Sequence, residues 1–315
     1  MKKYLQFHLK GEDIFSYFLI IVLICVIPAI ILSLPSNAYM MDEMTFWRGL
    51  LFGILGIAIL AVVLILAIYI LKMVIQNVEY DEERFKFSGE AGEYVSLVFK
   101  GILLSIITLG IYLPFFIREL MAFYIGKTSY KDEPFKFMGK GGDLFVIFLF
   151  ALIVPLIVLA LIFGFNYGAE RSFSSFSAYG ISILETAIIS PFVFLYYRWF
   201  VDIRFKNFHA QIDTDMIEGI GVVLLQTVIT AATFGIYFPV AYLKIYKYYL
   251  EKVKVKDDSD QEQQIRFGYD IDPTNDFLYI WGQTLLTIIT LGIYSPWAYC
   301  NILDRVLGKT WMETK

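Results

Sequence analysis

One heptapeptide, written three times, constrains this chain more than any other feature. Thr108-Leu109-Gly110-Ile111-Tyr112-Leu113-Pro114 recurs as Thr233-Phe234-Gly235-Ile236-Tyr237-Phe238-Pro239 and as Thr290-Leu291-Gly292-Ile293-Tyr294-Ser295-Pro296. A shared T-[LF]-G-I-Y-x-P inside hydrophobic sequence implies a chain built from duplicated membrane units. Glycine tolerates φ values that other residues avoid, proline donates no backbone hydrogen bond, and the residue before proline leans towards extended backbone. Each copy is therefore expected to break a helix. Lipid tolerates such a break only where protein or water satisfies the freed backbone groups.

The surrounding composition agrees. Hydrophobic residues make up 58% of the chain and charged residues 18%, outside the range of ordinary soluble domains. Apolar runs long enough to cross a bilayer occupy 14–34, 49–71 and 144–165, and a fourth, 178–197, carries the single charge of Glu185. Lys2, Lys3 and Lys10 precede the first run, which is too long for the core of a signal peptide and is expected to be a retained span. A net charge of −4 without a basic stripe argues against a nucleic-acid partner. Cys25 and Cys300 form no redox pair, and His8 and His209 lack metal-ligand spacing.

A second signature alternates with the first. Tyr80, Phe85, Phe87 and Gly89 recur fifty positions later as Tyr130, Phe135, Phe137 and Gly139. Phe7, Leu9 and Gly11 resemble a worn copy, as do Arg266, Phe267 and Gly268. Alternating F-x-F before glycine predicts short extended linkers on the cytoplasmic membrane surface. The expected class is thus an all-α polytopic membrane protein in a single domain, 1–315, with internal repeats. Its units are a hairpin at 7–76, a motif unit at 85–130, a hairpin at 135–200, and motif units at 205–256 and 267–315.

Cytoplasmic flanks carry the excess of Lys and Arg. Seven full crossings would divide the 26 positive residues almost evenly between the two sides. With only the two hairpins crossing, Arg48 and Arg171 alone lie outside, Lys100 falls within a segment, and both termini are cytoplasmic. The expectation is four spans and three re-entrant or steeply oblique motif units. In each of these a tilted helix of about 24 Å would be followed by an amphipathic helix on the surface.

Candidate functional residues follow from the cost of polar groups in lipid. Gln226, Thr230 and Thr233 share one helix face, as do Gln283, Thr287 and Thr290. In the first unit Gly101, Ser105 and Thr108 take those places. They read either as a cavity lining or as interhelical glue. Lys100 and Glu185 have opposite signs inside hydrophobic segments, so an ion pair between them is one expectation. Lys100 also reads as a snorkelling lysine, which leaves Glu185 the better functional candidate. The motif residues Gly110, Tyr112, Pro114, Gly235, Tyr237, Pro239, Gly292, Tyr294 and Pro296 mark the breaks, their tyrosines reading as interfacial anchors. The segment 138–142 lacks P-loop spacing, and the acidic 257–262 stretch reads as a solvated linker. No nucleophile–base pair or metal cluster emerges, so neither an enzyme nor a cofactor is expected.

The string from Leu285 to Ala298, LLTIITLGIYSPWA, is similar to the signature of the YjgN-like bacterial inner-membrane proteins, which also show F-x-G segments between repeated units. The resemblance covers most of the chain. The second copy departs with Phe234 for Leu, and the first has Phe115 where the third has Trp297. It implies a bacterial multi-pass inner-membrane protein without an assigned activity and brings no catalytic residues. Two function classes follow. One is a transporter or channel for a small solute or ion, by analogy with other repeat-built, broken-helix folds. The other is a non-transporting scaffold that binds membrane lipids or a partner protein through its amphipathic units.

Overall fold

The structure, a computed structural model, describes residues 2–33, 43–167, 175–257, 261–263 and 265–314, with side chains outside the description at 29–52, 162–186 and 262–263 as well. Helices come in five consecutive pairs. The first pair is α1 (Gly11–Ser33) with α2 (Glu43–Gln76), and the second is α3 (Ala91–Ile107) with α4 (Leu113–Gly126). In the third, α5 (Gly141–Ile147), a π-helical turn (Phe148–Ile153) and α6 (Val154–Tyr167) form one rod, which α7 (Ser175–Phe200) returns. The last two pairs are α8 (Met216–Ala232) with α9 (Phe238–Glu251), and α10 (Pro273–Ile289) with α11 (Ser295–Leu307). The π turn lies just before Pro155, whose ring and missing N–H disrupt a regular turn.

Among the described residues, three stretches are long and apolar enough to cross a membrane: Gly11–Pro28, Gly53–Gln76 and Gly141–Leu161. The fourth expected span falls in α7, whose described part, Ala187–Phe200, is apolar but shorter. The motif pairs differ from expectation. α4 does not leave α3 for the surface but returns along it, with the hydroxyl of Tyr124 donating to that of Tyr94 at 3.0 Å near the base. Further up, a Cβ at Gly101 would meet the Phe116 ring at 2.0 Å. Each motif unit is therefore a tight antiparallel hairpin, its second limb packed back along its first, and in the first unit the Phe116 ring fills the space left by Gly101.

An all-α class does not hold. Among the described residues, thirteen short strands connect the helix pairs. They assemble as β1 (Lys2–Tyr4), β13 (Thr310–Thr314) and β12 (Ile265–Tyr269); as β2 (Gln6–Phe7), β3 (Val78–Tyr80) and β4 (Glu83–Arg84); and as a seven-stranded sheet. That sheet runs β11 (Glu262–Gln263), β10 (Val253–Lys256), β9 (Phe208–Ile212), β8 (Ile203–Phe205), β7 (Glu133–Phe137), β6 (Thr128–Tyr130), β5 (Lys86–Phe87), and all its pairings are antiparallel. One residue separates β1 from β2, β4 from β5, and β11 from β12. The three sheets consequently follow one another along shared chain in a circuit that returns to its start.

Alternation along these strands sorts the two faces of the ring. Arg84, Lys86, Lys136 and Arg204 are exposed on one face. Phe85, Phe135, Phe205 and Tyr130 cluster on the other, with Phe135 and Phe205 rings 4.7 Å apart. Phe85 contacts Phe135 at 6.1 Å across the intervening strand, closer than the roughly 9–10 Å between second-neighbour strands in a flat sheet.

Where each helix pair meets the ring, one buried residue recurs: Phe7, Phe87, Phe137, Ile212 and Tyr269, none more than 7% exposed. The next amide (His8, Ser88, Met138, Asp213, Asp270) donates to the carbonyl of Asn77, Lys127, Asp202, Lys252 or Lys309 where the same pair exits. Neighbouring pairs pack in sequence, α2 on α3, α4 on α5, α7 on α8, α9 on α10, and α11 back on α1. Two of these junctions use the residue after the motif proline: a Cβ at Gly11 would lie 2.5 Å from Trp297, and one at Gly141 2.8 Å from Phe115.

Candidate membrane-inserting hairpins

Each motif builds the same hairpin tip, and every motif residue has a part in it. The hydroxyl of Thr108 donates to the Leu104 carbonyl at 2.7 Å and accepts the Tyr112 amide at 3.0 Å. Thr233 and Thr290 do the same for Tyr237 and Tyr294 at 3.1 Å. Gly110 donates to the Ser105 carbonyl, Gly235 to Thr230 and Gly292 to Thr287 at 2.7–2.8 Å, the six-to-one bond that ends a helix in a Schellman turn. These glycines take φ of +89°, +84° and +89°, between the end of one helix and the start of the next. The proline occupies the first turn of the second limb, where no N–H is needed.

The residue before each glycine is unexpected. Leu109, Phe234 and Leu291 adopt φ of 50–51°, a left-handed conformation that costs a side-chain-bearing residue about 1–2 kcal/mol. They are also 94%, 81% and 93% exposed. Ile111, Ile236 and Ile293 beside them are at least half exposed. Each tip thus presents large, strained apolar side chains that are mostly exposed.

Below the tips, the candidate polar stripes turn inward on their own hairpins. Ser105, Thr230, Thr233, Thr287 and Thr290 each donate to the carbonyl four residues earlier. Tyr237 donates to Gln226 Oε1 at 3.0 Å and accepts from Lys244 Nζ at 2.8 Å. Tyr294 donates to Gln283 Oε1 at 3.1 Å, which also accepts Asn301 Nδ2 at 3.0 Å. In the first hairpin Tyr112 donates to Glu119 Oε1 at 2.8 Å, and Lys100 Nζ stands 3.6 Å from the same oxygen. Lys100 is therefore paired within its own hairpin; the side chain of Glu185 lies outside the described residues. The stripes do not converge on one cavity. The cavity of about 380 Å³ between α7, α8 and α9 touches Thr230 but not Gln226, Gln283 or Thr287.

Sequence reasoning missed Glu119, Lys244 and Asn301 as tyrosine partners. The signal was present: each lies seven residues, two helical turns, after its motif tyrosine. It also missed Asp276, fully buried at the base of the third hairpin, where the other pairs place Ile14, Tyr94, Leu144 and Gly219. Asp276 accepts from Arg305 Nε at 2.7 Å, from Lys309 Nζ, and from the Asp272 amide at 3.0 Å. Burial pushes its carboxyl up, but Lys309, the Asp272 amide and Arg305 outweigh it and hold the group below its ordinary range.

No curated protein and no solved structure matches the chain. One family does, over residues 2–268, which takes in the first two motif hairpins and stops before the third. A mostly helical chain with three stretches apolar enough to span a membrane, and with membrane-suited tips on motif hairpins, thus belongs to the family described as bacterial protein of unknown function, DUF898.

Proposed function

We propose that this chain is a non-transporting scaffold of the bacterial inner membrane, in which the two long hairpins cross the bilayer and the three motif hairpins dip into the cytoplasmic leaflet. The strand ring then lies at the cytoplasmic surface with residues 2 and 314. One observation carries the reading: Leu109, Phe234 and Leu291 are strained and almost wholly exposed. In water Gly or Asn would serve better there. Transfer of such a side chain into hydrocarbon is worth about 1.5–3 kcal/mol, more than the left-handed strain costs, so lipid makes sense of what water does not. The polar groups beneath are bonded within their hairpins, which leaves membrane binding to the apolar tips. No catalytic step and no nucleic acid enters this reading.

Single-cysteine labelling in spheroplasts, in a background lacking Cys25 and Cys300, tests the topology. Positions 136, 206 and 254 are expected to stay unlabelled by an impermeant reagent, and external labelling at 136 would reject it. A conduit along the ring axis is the competing reading, favoured by the closed circuit of helix pairs. Solute-dependent flux in proteoliposomes would establish that reading instead.

A further inference from the structure

We propose that Arg118 and Lys140, where α4 meets the foot of the α5–α6 rod, bind the phosphodiester of one anionic phospholipid from the cytoplasmic leaflet. The inference rests on the membrane-inserted reading of the hairpins. The chain builds this junction twice. Where α11 meets α1, Trp297 seats on Gly11, and its ring lies 5.0 Å from Phe15 and 6.0 Å from Tyr294. Where α4 meets α5, Phe115 seats on Gly141, and its ring lies 6.1 Å from Phe145 and 6.0 Å from Tyr112. The two junctions correspond residue for residue, so a difference in charge between them is a difference in what each can bind.

At the α11–α1 junction Lys10 has carboxylates of its own. Its Nζ stands 3.9 Å from Glu12 and its amide donates to Asp13 at 2.9 Å. α11 contributes only the buried Cys300, packed with Leu9 and Ile14. At the α4–α5 junction Gly142 takes the place of Glu12, and Arg118 that of Cys300. Arg118 is exposed, and its Nε donates to the Gly139 carbonyl at 3.4 Å, which brings the guanidinium to the residue before Lys140. Lys140 is also exposed, and neither cation forms an ion pair among the described residues. Glu119 is held by Tyr112 and Lys100, and Asp202 by His209 and Gln211. Asp143, in the first turn of α5, pairs with neither cation. Lys10 with Glu12 and Asp13 leaves one negative charge in excess, whereas Arg118 and Lys140 with Asp143 leave one positive charge, which one phosphodiester neutralises. Position supplies the lipid. Lys140 immediately precedes Gly141–Leu161, a stretch apolar enough to cross a membrane, so it stands where a span leaves hydrocarbon for headgroups. There a guanidinium forks onto phosphate oxygens, an ammonium adds a point charge, and anionic lipids are at hand.

The test is native mass spectrometry of the full-length protein in detergent, titrated with phosphatidylglycerol. Retention of a first lipid is expected, weakened about fivefold by Arg118→Gln and about fivefold by Lys140→Gln. Lys10→Gln, at the twin junction, should leave it unchanged. Gly142→Glu copies Glu12 into the site. Nothing lies within 4 Å of a Cβ added at Gly142, so this variant should fold as wild type does. It should weaken the first lipid about fivefold, while Gly142→Gln, of the same size without the charge, should not. A first-lipid affinity unmoved by Gly142→Glu and Arg118→Gln would overturn the site. If positions 136, 206 and 254 then stay shielded from external label, the membrane reading stands without it; external labelling at 136 overturns both. Equal affinity for phosphatidylcholine would overturn the anionic-lipid assignment. Binding of inorganic phosphate alone, with no phosphatidylglycerol retained and with the same loss in the variants, would give the site to a free anion instead.

Discussion

At the scale of single residues, the tips separate what water and lipid each demand. Leu291→Asn replaces a strained leucine with a residue that tolerates left-handed backbone. Its thermal stability in detergent is expected to hold or rise slightly, while quenching by lipids brominated along the chain should show a shallower tip. Unchanged depth would separate the strain from membrane binding. Gly292 makes the complementary case. No protein atom but Ser295 Oγ, at 3.9 Å, lies near a Cβ added there, so any penalty comes from backbone at φ +89°. Gly292→Val should therefore lose about 1–3 kcal/mol and lower the yield of folded protein. Gly56→Val, in a plain helical stretch with open space around it, should not.

At the scale of the hairpin, the three motif units exchange volume across their limbs. Gln226 and Gln283 stand opposite Ala241 and Ala298, the fourth residues after their tyrosines, whereas Gly101 stands with Phe116 in that place. Where a glutamine limb meets the tyrosine hydroxyl the second limb is small, and where the first limb is glycine an aromatic ring fills the gap. Gln283→Leu should leave Tyr294 and Asn301 with lost partners and cost about 1–3 kcal/mol. Combined with Tyr294→Phe it should cost less than the two changes summed, as a double-mutant cycle in detergent would show. The base of the same hairpin carries Asp276. Asp276→Asn leaves Arg305 and Lys309, each about a quarter exposed, without their counter-charge and should cost about 3 kcal/mol. Because its folded pKa is depressed, this stabilisation is fully present above the unfolded value of about 3.9 and is lost as pH falls through the folded value. The gap between wild type and variant should be flat from neutral pH down and close only in acid.

At the scale of the whole molecule, the closed circuit makes residues far apart in sequence into neighbours. Lys2 pairs with Glu313 and Tyr4 with Trp311 across β1 and β13, and Trp297 seats against Gly11. A circular permutant that joins these ends and opens the chain in the turn at Lys206–Asn207 keeps every one of those pairings. It is expected to fold with nearly native thermal stability. Removal of 310–314, which deprives both β1 and β12 of a partner, should instead cause aggregation through the two exposed edges. Size-exclusion profiles of the two proteins decide the point.

Patterns of near neighbours were legible from the residues alone. The T-x-G-I-Y-x-P breaks, the helix pairs, the apolar stretches at the first two and third rods, and the short extended linkers all depend on local backbone preference and on periodicity within a few turns. Those forces act between residues adjacent in the chain, so one sequence suffices to show them. The ring was not legible. Eight of its described strands are only two or three residues long and carry no strand-length pattern. Their pairing, such as Phe7 with Val78, rests on closure between distant segments. The polar stripes point the same way: helical spacing placed Gln226 and Gln283 on one face, but only the returning limb decided that a tyrosine, rather than a shared cavity, would take their oxygens. Asp276 is the plainest instance. Its partners stand 29 and 33 residues later on another helix and its end, and no local rule distinguishes a carboxylate that will be neutralised by folding from one that stays in water.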